Sequence, residues 1–213
     1  MPHFSLAFDA IYFAALGWCL MTAPWRALAA PTRQHGWMGL TVALLLVWSM
    51  RAPLDGGVEL HLAGASLAAL MFGARLATLS LAVVLAVLAF TGRIAPEGLA
   101  LQGIAYALLP ALLTVAIQRL VEARLPRSVF VYIFVAGFAG TLLANLLATL
   151  AFAGMAWLAD AAPRGALSAD YLSYRLLLCW GESMLTGMLA AIFVAYRPQW
   201  MMTFRDEIYL ARH

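Results

Sequence analysis

Seven apolar segments dominate the chain, at about residues 6–23, 37–50, 58–73, 76–90, 99–118, 128–158 and 171–196. Nearly every stretch long enough to form an element is therefore one that prefers lipid to water. A helix that spans a bilayer needs about 20 apolar residues, so these segments use up the chain with little left over. Of its 213 residues, 65% are hydrophobic and only 11% charged, against roughly 25% charged in a soluble domain. So few charges cannot cover so much apolar surface. The expectation is an all-α membrane protein, a polytopic bundle of about seven transmembrane helices, forming a single integral membrane domain over residues 1–213.

The segments are uneven. The second and fourth are short for a full span, and the third is interrupted by Glu59 and His61. These are either full spans with polar ends or partial helices. The sixth and seventh are long enough to tilt. Proline and glycine mark the joins: Pro24 and Pro31, Pro53 with Gly56 and Gly57, Pro96 with Gly98, Pro126, Pro163 with Gly165, and Pro198.

Arginine placement gives a topology. With the N-terminus outside, the inner side collects Arg26, Arg33, Arg75, Arg119, Arg124, Arg127, Arg197, Arg205 and Arg212, and the outer side only Arg51, Arg93, Arg164 and Arg175. Cytoplasmic loops carry the excess of positive charge, so the chain reads N-out and C-in, with residues 197–213 as a cytoplasmic tail. Trp25, Trp37, Trp157, Tyr171, Tyr196 and Trp200 fall near the ends of spans, where an interfacial aromatic belt sits. The first nine residues carry no lysine or arginine and end in Asp9, so the positive start expected of a cleaved signal peptide is missing.

Composition also narrows the chemistry. Lysine is absent and all 13 basic residues are arginine, which excludes a Walker-type ATPase and a Schiff-base mechanism. The net charge of +3 belongs to membrane topology and does not call for nucleic acid. Cys19 and Cys179 lie in apolar runs and read as small buried side chains rather than a disulfide pair.

Few polar residues remain to carry a function. His61 opens a run of small residues, with Gly64, Ala65 and Ala68 on its helical face, so that a neighbouring helix can approach closely. A neutral imidazole there suits nickel, copper or zinc; a hydrogen-bonded histidine at a helix end is the plainer alternative. The start of the chain, Met1-Pro2-His3, falls on the same outer side. If Met1 is removed, the Pro2 amine, the His3 backbone nitrogen, the His3 imidazole and His61 supply four nitrogens, and four nitrogens in a plane suit Ni(II) or Cu(II). If Met1 is kept, Pro2 has no N–H to give up. A disordered terminus is the competing reading for His3.

Glu182 lies deep in the last segment, with Arg175 two turns earlier on its face. An intramembrane carboxylate is a functional candidate, here for a substrate pathway, and an Arg–Glu structural pair is the alternative. Gly137, Thr141, Asn145 and Thr149 form a stripe at intervals of four that reads as packing between helices, with Asn145 also available to a pathway. Asp9 faces either Arg51 or Arg175, or the candidate metal site. Glu122 with Arg119 and Arg124 reads as a solvated cluster.

The run His61-Leu-Ala-Gly64-Ala-Ser-Leu-Ala-Ala-Leu-Met-Phe72-Gly73 resembles the CbiM/NikM family, the substrate-capture membrane subunits of cobalt and nickel energy-coupling factor (ECF) transporters. That family has a histidine, a glycine three residues on, and a run ending in Phe-Gly at twelve. The stretches 130–138, 181–188 and 196–204 are similar to its proteobacterial branch, and the likeness extends over about residues 58–210. It implies seven helices and a metal held by the N-terminal amine, a histidine at position two and a loop histidine. Those roles fall on Pro2 and His3, once Met1 is lost, and on His61. It implies Co2+ or Ni2+ as the transported ligand with no permanent cofactor. It further implies a T subunit and ABC ATPases as partners, location in the bacterial cytoplasmic (inner) membrane, and no enzymatic activity. Arg119, Arg124 and Arg127 are then candidates for partner docking. Two departures stand out: the start is Met-Pro-His rather than Met-His, and Ala105 stands where the family tends to have asparagine two residues after the glycine here numbered Gly103. Three other readings remain open: an ECF-like permease for an organic solute, an intramembrane enzyme, and an accessory membrane protein without metal binding.

Overall fold

The computed structural model describes residues 2–50, 52–53, 59–95, 98–158 and 169–204, without the side chains of residues 2–5, 52–53, 59–60 and 169–170. Among the described residues six long helices form an all-α, membrane-type bundle: α1 (Pro2–Thr22), α2 (Pro31–Ser49), α3 (Ala65–Phe90), α4 (Leu99–Arg124), α5 (Val131–Leu158) and α6 (Ala169–Tyr196). The last four are each long and apolar enough to cross a membrane. A two-residue antiparallel ladder, β1 (Ala52–Pro53) and β2 (Glu59–Leu60), pairs Ala52 with Leu60 ahead of α3.

Outward surfaces are apolar, as lipid requires. On α1, Tyr12 and Cys19 face inward while Leu6, Ile11, Phe13, Leu20 and Met21 are exposed. On α6, Leu177, Trp180, Met184 and Met188 are exposed, while Arg175, Cys179, Glu182, Ser183 and Thr186 are buried. Without a hydrophobic drive between helices in lipid, small residues at the contact let the backbones pack closely. A Cβ at Gly137 of α5 would already lie 3.6 Å from the Gly187 Cα of α6.

α3 is the central element, and it accounts for the two apolar segments that sequence reading separates at residues 73–76. Gly73, at φ 80° and ψ 161°, breaks it into two limbs, residues 65–72 and 74–90. Only glycine adopts that backbone region readily. The first limb ends at the arginine-rich end of the bundle. Its last carbonyls, Leu70 and Met71, accept from the Thr203 hydroxyl and the Met202 N–H, both just past the end of α6. The second limb starts at that same end, where Arg75 donates to the terminal carbonyl of α1 at Thr22. It then climbs parallel to α2. Trp37 donates to the Leu76 carbonyl, Thr41 to the Ser80 hydroxyl, and Arg93 to the Ser49 carbonyl at the opposite end. Chain direction therefore reverses at Gly73. Residues 61–72, a short loop and a half-length helix, run one way along the bundle and residues 74–90 run back, so the six helices of the described residues make seven passes along it, where the sequence reading expects about seven helices.

Two helices carry π-helical turns, Gly103–Leu108 in α4 and Val131–Gly140 in α5. The extra residue per turn shifts side-chain direction and often marks a functional position. The turn in α4 aims Tyr106 at the loop ahead of α3.

Candidate functional site

Residues 61–64 run as non-helical chain within the bundle before α3 begins. Irregular backbone at membrane depth survives only when its polar groups are satisfied by protein or by water in a cavity. Here the donors and acceptors come from two other helices. The Arg175 guanidinium of α6 donates to the His61 carbonyl at 3.1 Å. The Trp48 indole of α2 donates to the Ala63 carbonyl at 2.8 Å. The Glu182 carboxylate accepts from both Ala63 N–H, at 3.1 Å, and Gly64 N–H, at 2.9 Å. Glu182 thus satisfies, from α6, the N–H groups of Ala63 and Gly64, the last two residues before α3, and puts its carboxylate next to the positive end of that helix. Gly64 makes the entry possible at φ 66°, with its Cα face against Leu44.

His61 itself is 5% exposed. Its ring lies 4.3 Å from Trp48 and 5.0 Å from Tyr106 between centroids, the latter edge-on, and Nδ1 is 3.3 Å from the Leu62 carbonyl. The Tyr106 ring sits under the Arg175 guanidinium at 4.8 Å and its hydroxyl meets that of Tyr171 at 3.3 Å. Trp48 and Tyr106 were not among the candidates read from the sequence. An aromatic residue in an apolar segment looks like any other core residue until the fold brings it to the loop.

At the second residue of the first limb, Thr114 donates to Ser66 and Ser66 donates to Asn145 Oδ1, at 2.9 and 3.2 Å. The Asn145 amide nitrogen and the Thr141 hydroxyl one turn away on α5 are buried without a hydrogen-bond partner among the described residues. Thr149 donates to the Asn145 carbonyl and meets the Cys179 thiol at 3.6 Å. A polar seam therefore continues inward from the loop between α3, α5 and α6.

The other sequence candidates fall as follows. Pro2 and His3 begin α1, and their side chains, like Met1, lie outside the described residues. Asp9 is half-buried one turn before Tyr12, whose ring fills the space beside Gly103 of the π-helical turn. Ala105 is buried. Arg175 and Glu182 do not serve each other first: both turn to the loop. Arg119, Arg124 and Arg127 are exposed at the arginine-rich end, and Arg119 lines a cavity of about 510 Å³ with Arg75, Gln118 and Glu122. Among the described residues, no three His, Cys, Asp or Glu side chains gather closely enough to hold a metal.

Fold and site define a polytopic helical membrane protein built round a buried loop whose backbone is fastened by side chains of neighbouring helices. Residues 2–200 match the family model CbiM, the cobalt uptake substrate-specific transmembrane region, and the chain belongs to that family. It is a transport family rather than an enzyme family. Two solved structures share the fold. A crystal structure of a transition metal transporter superposes with a TM-score of 0.64 at 17% identity, covering 93% of this chain and 89% of the other. A truncated transition metal transporter gives 0.62 at 17% identity, covering 92% and 94%. No curated protein sequence matches the chain.

Proposed function

We propose that this protein is the substrate-capture membrane subunit of an ECF-type uptake transporter, taking Co2+ or Ni2+ from the outer side of a bacterial cytoplasmic membrane. The observation that carries the reading is His61, a metal-capable side chain held in a fixed, buried loop in a chain of the cobalt-uptake family. Pro2 and His3, freed by removal of Met1, complete a set of four nitrogens with His61, and such a set selects a late divalent transition metal by geometry. The arginine-rich end faces the cytoplasm. There Arg119, Arg124 and Arg127 meet a T subunit and ABC ATPases, since a chain without lysine has no phosphate loop of its own.

The test is titration of the purified protein with Ni(II), Co(II) and Cu(II), beside an intact-mass measurement of its N-terminus. Stoichiometric binding, lost in His61→Ala and accompanied by loss of Met1, supports the assignment. No binding by a correctly processed chain refutes it. A second reading, an organic solute as cargo, draws on the buried Asn145 amide nitrogen and Thr141 hydroxyl, which have no hydrogen-bond partner among the described residues. Metal-independent uptake that survives His61→Ala would select it.

A further inference from the structure

We propose that Arg175 and Glu182 are positioning residues for the His61 imidazole, acting as a two-point clamp on the loop backbone. The proposal rests on the reading of His61 as a substrate ligand and adds the residues that aim it.

The clamp fits the loop in reach and in polarity. Seven residues on α6 separate the two side chains, a rise of about 10 Å along a helix. From the His61 carbonyl to the Gly64 N–H the chain passes only Leu62 and Ala63, at most about 7 Å, and the long Arg175 and Glu182 side chains span the difference. At one end the loop presents a carbonyl and α6 offers a guanidinium. At the other it presents two N–H groups and α6 offers a carboxylate. Exchanging the two side chains would set donor against donor and acceptor against acceptor. Both are 4% exposed, so each is a buried charge whose partners are chiefly the loop.

Arg175 reaches further than the backbone. The same guanidinium stacks on Tyr106, whose edge contacts the His61 ring. One side chain therefore fixes both the backbone of His61 and a wall of its imidazole site. Trp48 does likewise from α2, packing its ring at a tilt against the His61 ring and bonding the Ala63 carbonyl.

The experiment uses the full chain in detergent, with Glu182→Gln, Glu182→Ala, Arg175→Lys and Arg175→Ala. Two readouts need no metal. Hydrogen–deuterium exchange at Ala63 and Gly64 should quicken at least tenfold in Glu182→Ala, while exchange in the second limb, residues 76–88, stays as in the parent. Carbethoxylation of His61, followed by mass spectrometry, should quicken in the Arg175 and Glu182 alanine variants. The conservative variants, which each keep one usable hydrogen bond, should fall between, and they decide the matter if an alanine variant fails to fold. Unchanged exchange and unchanged His61 reactivity in variants that fold overturn the clamp. Ni(II) titration forms a separate arm. Binding weakened tenfold or more, with a shifted visible absorption band, supports positioning, and unaltered affinity and spectrum overturn it. If the parent protein binds no metal, the transport reading fails, and the two metal-free readouts still decide whether the clamp orients His61.

Discussion

Gly73→Ala isolates the cost of the reversal on which the bundle depends. No atom of the described residues lies within 4 Å of a Cβ built at Gly73, so the substitution meets no steric obstacle among them. What it meets is the backbone itself, because φ 80° with ψ 161° is nearly closed to a side chain. Residues forced into such regions cost about 1–3 kcal/mol. Gly154→Ala is the matched control: it adds the same methyl group, again with no neighbour within 4 Å, but within the α-helical part of α5. There alanine is favoured over glycine by about 0.5–1 kcal/mol. The two variants should therefore differ by about 1.5–4 kcal/mol, and 1.4 kcal/mol is a factor of ten in an equilibrium. Reversible unfolding in mixed micelles, followed by circular dichroism, measures the difference. Gly73→Ala as stable as Gly154→Ala would show that the chain does not turn back at Gly73, and the account of two crossings joined by one residue would fail.

Trp48→Phe keeps the ring beside His61 but leaves the Ala63 carbonyl without its donor; it should cost about 1–3 kcal/mol in the same unfolding assay, and an unchanged midpoint would show that the bond is dispensable. Thr203→Val removes the hydroxyl that caps the Leu70 carbonyl and meets Tyr132 at 2.7 Å; a loss of about 1 kcal/mol is expected, and no loss would mean the first limb ends without help from the tail. An added residue before Pro2 that blocks processing should abolish metal binding measured by calorimetry, and full binding would remove Pro2 and His3 from the ligand set. Reversing charge at Arg124 and Arg127 together should abolish co-purification with T and ATPase subunits, whereas intact complexes would move the docking surface elsewhere.

How much was legible differs from element to element. The apolar runs and their arginine-marked ends already imply a polytopic helical bundle, because lipid leaves backbone groups few ways to be satisfied. His61 and Glu182 are legible as candidates for the same reason: an ionisable group in such a segment needs a justification. Their relation is not legible. Spacing on α6 makes Arg175 the natural partner of Glu182, yet each reaches past the other to residues more than 110 positions away in the chain. Trp48 and Tyr106 carry no signal, since apolar segments are full of aromatics and only contact distinguishes these two. The third segment reads as either a partial helix or a full span, and its resolution needed the fastening of Leu70 and Met71 by the tail.

The sequence by itself determined the solvent and the class of fold, and it narrowed the candidates for chemistry to a few residues, because hydrophobicity and charge act locally and need no knowledge of neighbours. Only the tertiary structure decided that a glycine turns one apolar stretch into two crossings, and that a carboxylate and a guanidinium on α6 hold the histidine loop. Those facts depend on which hydrogen-bond partner reaches which backbone group, and in this bundle the partners come from helices far apart in the chain.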